Sequence, residues 1–176
     1  SIEDLVAYRM KHDSLIKKRV EIDLEIRFGK FHLTAYEQTT NNQIHLSLTK
    51  GNWSKNDPVL TRIHSSRISN DVLTMLTSSA SKGIEEVFQL INKENKGAII
   101  FINQIEPSKD LLPRIRTLKK MQIKKQSDKV PPLFMDTRDF GIGAQILHDL
   151  NIKKLRIISN SSKKPRVGLT GYGLEI

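Results

Sequence analysis

The sequence predicts an α/β fold in which helices flank a mixed β-sheet and strands dominate the N-terminal half. Between residues 20 and 63, several segments alternate apolar and polar residues with the two-residue period of a strand. After residue 80, apolar residues at helical spacing alternate with short, continuous apolar runs. A chain of 176 residues is long enough for one core of ordinary size. We therefore expect one domain over residues 20–176, preceded by a linker or arm over residues 1–19.

The first expected element is an amphipathic helix over residues 2–19. Ile2, Leu5 and Leu15 belong to an apolar stripe at helical spacing, and polar or charged residues surround that stripe. Such a helix is expected to be an arm that docks on another surface.

Strands are expected next. Residues 22–26 and 31–35 each alternate apolar and polar residues, and Gly29 lies between them, which predicts a hairpin or a strand with a bulge. Residues 44–48 alternate in the same way, and residues 59–63 follow an Asp-Pro turn signal. We expect this β-rich third of the chain to be antiparallel.

Helices and strands then alternate. Residues 84–91 have one apolar face and end at an Asn-Lys-Gly stop signal. Residues 98–102 form a continuous apolar run, which is typical of a strand buried on both faces. A helix over residues 108–125, a helix over residues 143–150 and a buried strand over residues 155–158 complete the prediction.

Composition restricts the possible chemistry. The chain has no cysteine, which excludes disulfides, zinc sites built on thiolates and a cysteine nucleophile. Its net charge of +10 favours an anionic partner such as a phosphorylated small molecule, a nucleic acid or an acidic membrane surface. Aromatic residues do not interleave with the basic runs, so a stacking platform for single-stranded nucleic acid is not expected. No apolar stretch is long enough for a membrane helix, and no secretory signal is visible, so we expect a cytoplasmic protein.

Two segments carry specific motifs. Residues 62–71 read Arg-Ile-His-Ser-Ser-Arg-Ile-Ser-Asn-Asp, and residues 136–147 read Asp-Thr-Arg-Asp-Phe-Gly-Ile-Gly-Ala-Gln-Ile-Leu, with Gly-Tyr-Gly-Leu-Glu following at residues 171–175. These stretches resemble the signatures of the GTP cyclohydrolase II family, which read Arg-x-His-Ser-Glu-Cys-Leu-Thr-Gly-Asp and Asp-x-Arg-Asp-[Tyr/Phe]-Gly-x-Gly-Ala-Gln-Ile-Leu. The resemblance extends over about residues 20–176.

The resemblance implies a catalytic zinc held by three cysteines, whose positions here are Arg67, Ser78 and Ala80. None of these side chains supplies a thiolate, and Arg67 brings a cation to the place of the metal. Zinc in this chemistry lowers the pKa of bound water. We therefore expect no metal site and a domain that is inactive, or nearly so, in GTP ring opening.

The resemblance also implies a retained anion site. Its triphosphate contacts fall on Arg62, Ser159 and Lys164, which keep the chemical type found in the family, and its catalytic pair falls on Asp136 and Arg138. A guanidinium pairs with phosphate through a planar fork and an ammonium acts as a point charge, so a phosphate clamp is expected. Asp136 and Arg138 also fit an internal ion pair or a cap on the helix that follows.

Partners are implied in the same way. The arm resembles the link that follows the dihydroxybutanone phosphate synthase domain in bifunctional riboflavin biosynthesis proteins. The resemblance implies a homodimer, an N-terminal synthase domain in the native chain, and GTP or pyrophosphate as ligand, with magnesium accompanying the nucleotide. The expected role is structural: dimerisation and support of the synthase domain, with residual nucleotide-phosphate binding.

Two other functions stay open. An active cyclohydrolase could hold a different metal with nitrogen and oxygen ligands, for which His64, Asp71 and Asp136 are candidates; formate release from GTP would mark it. A basic nucleic-acid-binding module would be marked by salt-dependent binding. The structural alternative for His64 is a strand-end histidine bonded to backbone, and for the glycines at 141 and 143 it is close packing of a helix on a strand.

Overall fold

The computed structural model describes residues 5, 8, 13–66, 82–103, 137–159, 169 and 172–176. Within these residues, six strands form one sheet in the order β1-β2-β3-β5-β4-β6, and two helices are described from end to end. The elements in chain order are β1 (Ile16–Ile26), β2 (Gly29–Gln38), β3 (Ile44–Lys50), β4 (Pro58–Ser66), α1 (Lys82–Glu94), β5 (Gly97–Asn103), α2 (Thr137–Asp149) and β6 (Lys154–Ile157). The mixed sheet with flanking helices and a strand-rich N-terminal half confirms the predicted fold class.

Strands β1 and β2 form the predicted hairpin. They pair antiparallel, with Leu24 opposite Phe31 and Ile26 opposite Gly29. Gly29 has a φ of 105°, a backbone conformation that glycine adopts without a steric penalty. Strand β3 continues the antiparallel meander on β2.

The expectation of an antiparallel β-rich third is wrong for β4. This strand pairs parallel with β5 on one side and with β6 on the other. Parallel neighbours require a crossover connection, which is usually helical. Helix α1 lies between β4 and β5 along the chain, and α2 lies between β5 and β6, so both connections contain a helix.

The core has two halves, one on each face of the sheet. Ile99 and Phe101 of β5 pack with α1, whereas Ile100 and Ile102 pack with α2. We call these two sides the α1 face and the α2 face. Because both sets of β5 side chains are fully buried, the prediction of a strand buried on both faces is confirmed. The predicted apolar face of α1 is buried as well: Ile84, Val87, Phe88 and Ile91.

The tip of the first hairpin is fastened to α1. The rings of Phe28 and Phe88 stack with their centroids 4.1 Å apart. Asn92 donates a hydrogen bond of 2.7 Å to the Phe28 carbonyl, and Arg27 pairs with Glu85 at 2.6 Å. Apolar stacking and polar bonds therefore hold the hairpin against the helix.

The arm helix was predicted to extend too far. Residues 16–19 belong to β1, where Ile16 pairs with Gln38 of β2. Leu15, just before β1, and Ile16, its first residue, are partly buried against the core on the α2 face, although neither lies in a helix. Leu5 and Tyr8 are helical, and both are exposed.

The C-terminal elements need two corrections. Helix α2 begins at Thr137, six residues before the predicted start. Strand β6 was predicted as buried, but it is an edge strand in which Leu155 is buried and Arg156 is exposed. The helix predicted over residues 108–125 lies outside the described residues. No helix in the described part of the chain is long and apolar enough to cross a membrane.

A pair of glycine substitutions tests how closely the loop between β3 and β4 packs against the turn that follows α1. Gly51 and Gly173 have similar positive φ angles of 77° and 72°. A Cβ on Gly51 would lie 2.3 Å from the Asn95 carbonyl oxygen, whereas a Cβ on Gly173 would meet nothing within 4 Å. We expect Gly173→Ala to cost about 1 kcal/mol of stability through its backbone angle. Gly51→Ala should cost about 2 kcal/mol more because of the clash, and urea unfolding measures both; equal losses would contradict the close approach.

Candidate functional site

Strands β4, β5 and β6 are parallel, and β4 and β5 end together, since Ser66 pairs with Asn103, whereas β6 ends beside Thr61 in the middle of β4. We call the side of the sheet toward which these three strands run the carboxyl edge. In open α/β sheets, ligands bind at this edge. The described residues on this side include His64 and Ser65 near the end of β4 and Asn103 at the end of β5. Arg62 lies in the middle of β4, opposite Ile99, and Ser159 lies just after β6.

Arg62 and Ser159, two of the predicted phosphate contacts, are brought together. The Arg62 Nη1 atom donates a hydrogen bond of 3.0 Å to the carbonyl of Ile158, the neighbour of Ser159. The Ile158 amide in turn donates to the Thr61 carbonyl at 2.9 Å, which continues the β4–β6 pairing by one step. Half-buried Arg62 is therefore held beside the exposed Ser159.

The other predicted site residues are placed less completely. Asp136 and Lys164 lie outside the described residues. The backbone of Arg138 lies in the first turn of α2. Trp53, in the loop that leads into β4, donates to the Leu150 carbonyl at 2.9 Å, so helix α2 ends beside the amino end of β4. The N-terminal turn of α2 is therefore directed toward the carboxyl edge.

The site residues approach the carboxyl edge from both faces of the sheet. Along β4, Arg62 and His64 share the α1 face with Leu60, whereas Ser65 shares the α2 face with Ile63. The first turn of α2 comes from the α2 face. A ligand that contacts both Arg62 and this turn must therefore lie across the edge of the sheet.

His64 is a neutral imidazole at neutral pH. Burial lowers the pKa of His64, and the positive charge of Arg62 lowers that pKa further. The ring lies edge-on to Phe101, with centroids 5.8 Å apart and an interplanar angle of 76°. His64 is thus a half-buried strand-end histidine whose protonation responds to charge at the carboxyl edge.

The residues present do not fit a zinc site of three thiolates. The chain has no cysteine, and the corresponding positions, Arg67, Ser78 and Ala80, lie outside the described residues. Among the residues that the structure describes, no three His, Asp or Glu side chains are grouped to hold a metal ion. Of the alternative ligands His64, Asp71 and Asp136, only His64 is described.

His45 is a residue at the edge that the sequence analysis missed. It is 1% exposed in β3, where its Nδ1 atom accepts a hydrogen bond of 3.0 Å from the Asn103 amide. Its Nε2 atom lies 3.1 Å from Gln38 Oε1, so the ring proton is on Nε2. Burial lowers the pKa of His45 to about 4. This neutral ring fixes the end of β5 at the carboxyl edge.

Glycine packing differs from the expectation at residues 141 and 143. A Cβ on Gly143 would lie 3.9 Å from Ile102 and 4.0 Å from Ile63, which are ordinary contact distances. A Cβ on Gly141 would lie 3.2 Å from the Tyr172 hydroxyl. The tighter approach is therefore between α2 and the C-terminal segment, not between helix and strand.

Comparison with protein families gives a match over most of the chain. The model of the family described as GTP cyclohydrolase II matches residues 17–176. The chain is 38% identical over 179 residues to the riboflavin biosynthesis protein RibBA of Cytophaga hutchinsonii. It is 37% identical over 181 residues to the protein of the same name from Porphyromonas gingivalis. Both alignments cover 100% of this chain and 44% of the relative, so the chain spans less than half the length of these relatives.

A solved structure is also similar. It is described as RibBX, a two domain 3,4-dihydroxy-2-butanone 4-phosphate synthase from A. baumannii, and it is 26% identical with a TM-score of 0.55. The similarity covers 97% of this chain and 41% of that chain.

Proposed function

Because this chain belongs to the GTP cyclohydrolase II family, we propose that it is a riboflavin biosynthesis domain that has lost GTP ring opening and has kept a nucleotide-phosphate site. One contrast supports this proposal. The chain has no thiolate with which to hold the family's zinc, yet Arg62 is bonded to the backbone beside Ser159, just after the end of β6.

Loss of ring opening follows from the donor chemistry. Hydrolysis of a guanine ring needs an activated water, and a metal-bound water is the route implied by the family resemblance. Serine and alanine at positions 78 and 80 do not replace thiolates, and Arg67 adds a positive charge near them in sequence. No hydrolytic step is assigned to this chain.

Retention of phosphate binding follows from charge and position. Arg62 presents a planar guanidinium beside the end of β6, and the exposed residue Ser159 follows its bonded partner Ile158 in the chain. The N-terminal turn of α2, which is directed toward the carboxyl edge, favours negative charge. Together with Lys164 and Arg138 these groups form the proposed clamp for the phosphates of GTP, or for pyrophosphate, with magnesium accompanying the nucleotide.

The role in the whole protein is proposed from the relatives. RibBX is described as a two domain synthase, and this chain resembles 41% of it. We propose that this chain likewise accompanies a dihydroxybutanone phosphate synthase domain in a cytoplasmic riboflavin biosynthesis protein. In that protein it supports the synthase domain and contributes to a homodimer.

A turnover assay tests the proposal. The purified protein is incubated with GTP and magnesium, with and without zinc, and formate and pyrophosphate are measured together with bound zinc. We expect no formate under any condition and zinc well below one ion per chain. Formate production that scales with protein concentration would overturn the proposal and would favour a metal held by nitrogen and oxygen ligands such as His64, Asp71 and Asp136.

A further inference from the structure

The motif Gly-Ala-Gln-Ile-Leu of α2 contains a buried glutamine that the proposed function does not use. Gln145 is 9% exposed, and its side-chain amide bonds to two backbone groups of the segment that enters β1. Its Oε1 atom accepts a hydrogen bond of 2.8 Å from the Leu15 amide, and its Nε2 atom donates one of 2.9 Å to the Asp13 carbonyl. The two partners fix the orientation of the amide, because one is a donor and the other an acceptor.

The same segment is bonded from its other side. Thr39, which follows β2, donates from its amide to the Leu15 carbonyl at 2.9 Å and from its hydroxyl to the Ser14 carbonyl at 3.2 Å. The Leu15 side chain packs into the core on the α2 face. Residues 13–15 thus lie between α2 and the end of β2, and in each of these four hydrogen bonds they contribute a backbone group.

We infer that this arrangement is an interaction surface for extended peptide backbone and that its occupant is residues 13–15 of the same chain. Gln145 acts there as a positioning residue that fastens the arm to α2. Recognition through backbone groups resembles the pairing of an added strand, and the Leu15 side chain adds an apolar contact. The first turn of the same helix is directed toward the carboxyl edge.

Amide hydrogen exchange, measured for each residue by NMR, tests the contact between Gln145 and residues 13–15. In the unmodified protein, the Leu15 amide is expected to exchange at least 100-fold more slowly than in an unfolded peptide. In Gln145→Leu, which keeps the side-chain size but removes both bonds, exchange at Leu15 should accelerate about tenfold. The Ile100 amide in β5, whose own bonds are unchanged, should accelerate less than the Leu15 amide, since a loss of global stability alone would accelerate both equally.

Two further variants make the result specific. Gln145→Glu keeps the acceptor for Leu15 but loses the donor to Asp13, so it should accelerate exchange at Leu15 less than Gln145→Leu does. Gln89→Leu replaces an exposed glutamine in α1 and should change neither rate. If Gln145→Leu does not fold, the exchange rate of the Leu15 amide in the unmodified protein still tests the inference.

Three results would overturn the inference. The first is exchange of the Leu15 amide at the unfolded-peptide rate in the unmodified protein. The second is an unchanged Leu15 rate in Gln145→Leu. The third is protection that disappears on dilution, which would assign the surface to the arm of a second copy.

Discussion

Replacement of Arg62 by methionine is expected to weaken pyrophosphate binding about 100-fold. A guanidinium donates charge-assisted hydrogen bonds to phosphate that are stronger than neutral ones. The loss of two such bonds costs about 3 kcal/mol, which corresponds to roughly a hundredfold in affinity. Titration calorimetry at fixed magnesium concentration measures the change. Arg62→Lys keeps the charge but loses the planar fork, so its affinity for pyrophosphate should lie between those of the unmodified protein and Arg62→Met.

A second arginine provides the control for total charge. Arg156 is exposed on the edge strand β6, where its charge is paired with Glu94 at 2.7 Å. Arg156→Met removes the same charge and should change the affinity less than twofold. Equal weakening by Arg62→Met and Arg156→Met would indicate a diffuse charge effect and contradict the clamp. The fold of each variant is checked by thermal unfolding, because Arg62 also bonds to the Ile158 carbonyl.

His64 reports on the same site without a binding assay. The charge of Arg62 contributes to the lowered pKa of His64, so Arg62→Met should raise that pKa. A bound phosphate beside Arg62 should also raise it, because an anion stabilises the imidazolium. NMR titration of the ring with and without pyrophosphate therefore separates ligand binding from loss of structure. An unchanged pKa at saturating pyrophosphate would place any binding elsewhere.

The local sequence pattern predicted where the strands lie in the chain better than it predicted which strands pair in the sheet. The β1–β2 hairpin was predictable because its alternation and its glycine lie within about twenty residues. The parallel pairing of β4 was not, since β5 and β6 follow it in the chain after long connections. Helical spacing near Leu15 was misleading for a related reason. The burial of Leu15 and Ile16 is provided by α2, which lies far along the chain.

The site shows the same division. Motif resemblance identified Arg62 and Ser159, which are 97 residues apart, and the structure brings the Arg62 guanidinium to the residue before Ser159. Gln145 and His45 were not predicted because their partners are backbone groups, at sequence separations of 130 and 58 residues. A backbone amide has no sequence signature. A glutamine or histidine side chain that hydrogen-bonds to a backbone group therefore cannot be identified before the fold is known.

The buried imidazole of His45 predicts acid sensitivity. Burial lowers the pKa of His45 to about 4 in the folded protein, from an ordinary value of 6.5. As the pH falls, His45 therefore becomes protonated at a higher pH in the unfolded chain than in the folded protein. The stability that depends on the neutral ring is complete above about pH 6.5 and is lost between pH 6.5 and pH 4, by about 3 kcal/mol.

Substitution at His45 isolates this loss from other acid effects. His45→Gln offers Asn103 an acceptor that does not titrate, so its free energy of unfolding should depend less on pH between 6.5 and 4. His64 also has a lowered pKa and contributes to the slope with the same sign in both proteins. Urea unfolding at several pH values measures both proteins. If His45→Gln and the unmodified protein showed the same slope, the neutral ring at Asn103 would not be what holds the end of β5 at the carboxyl edge.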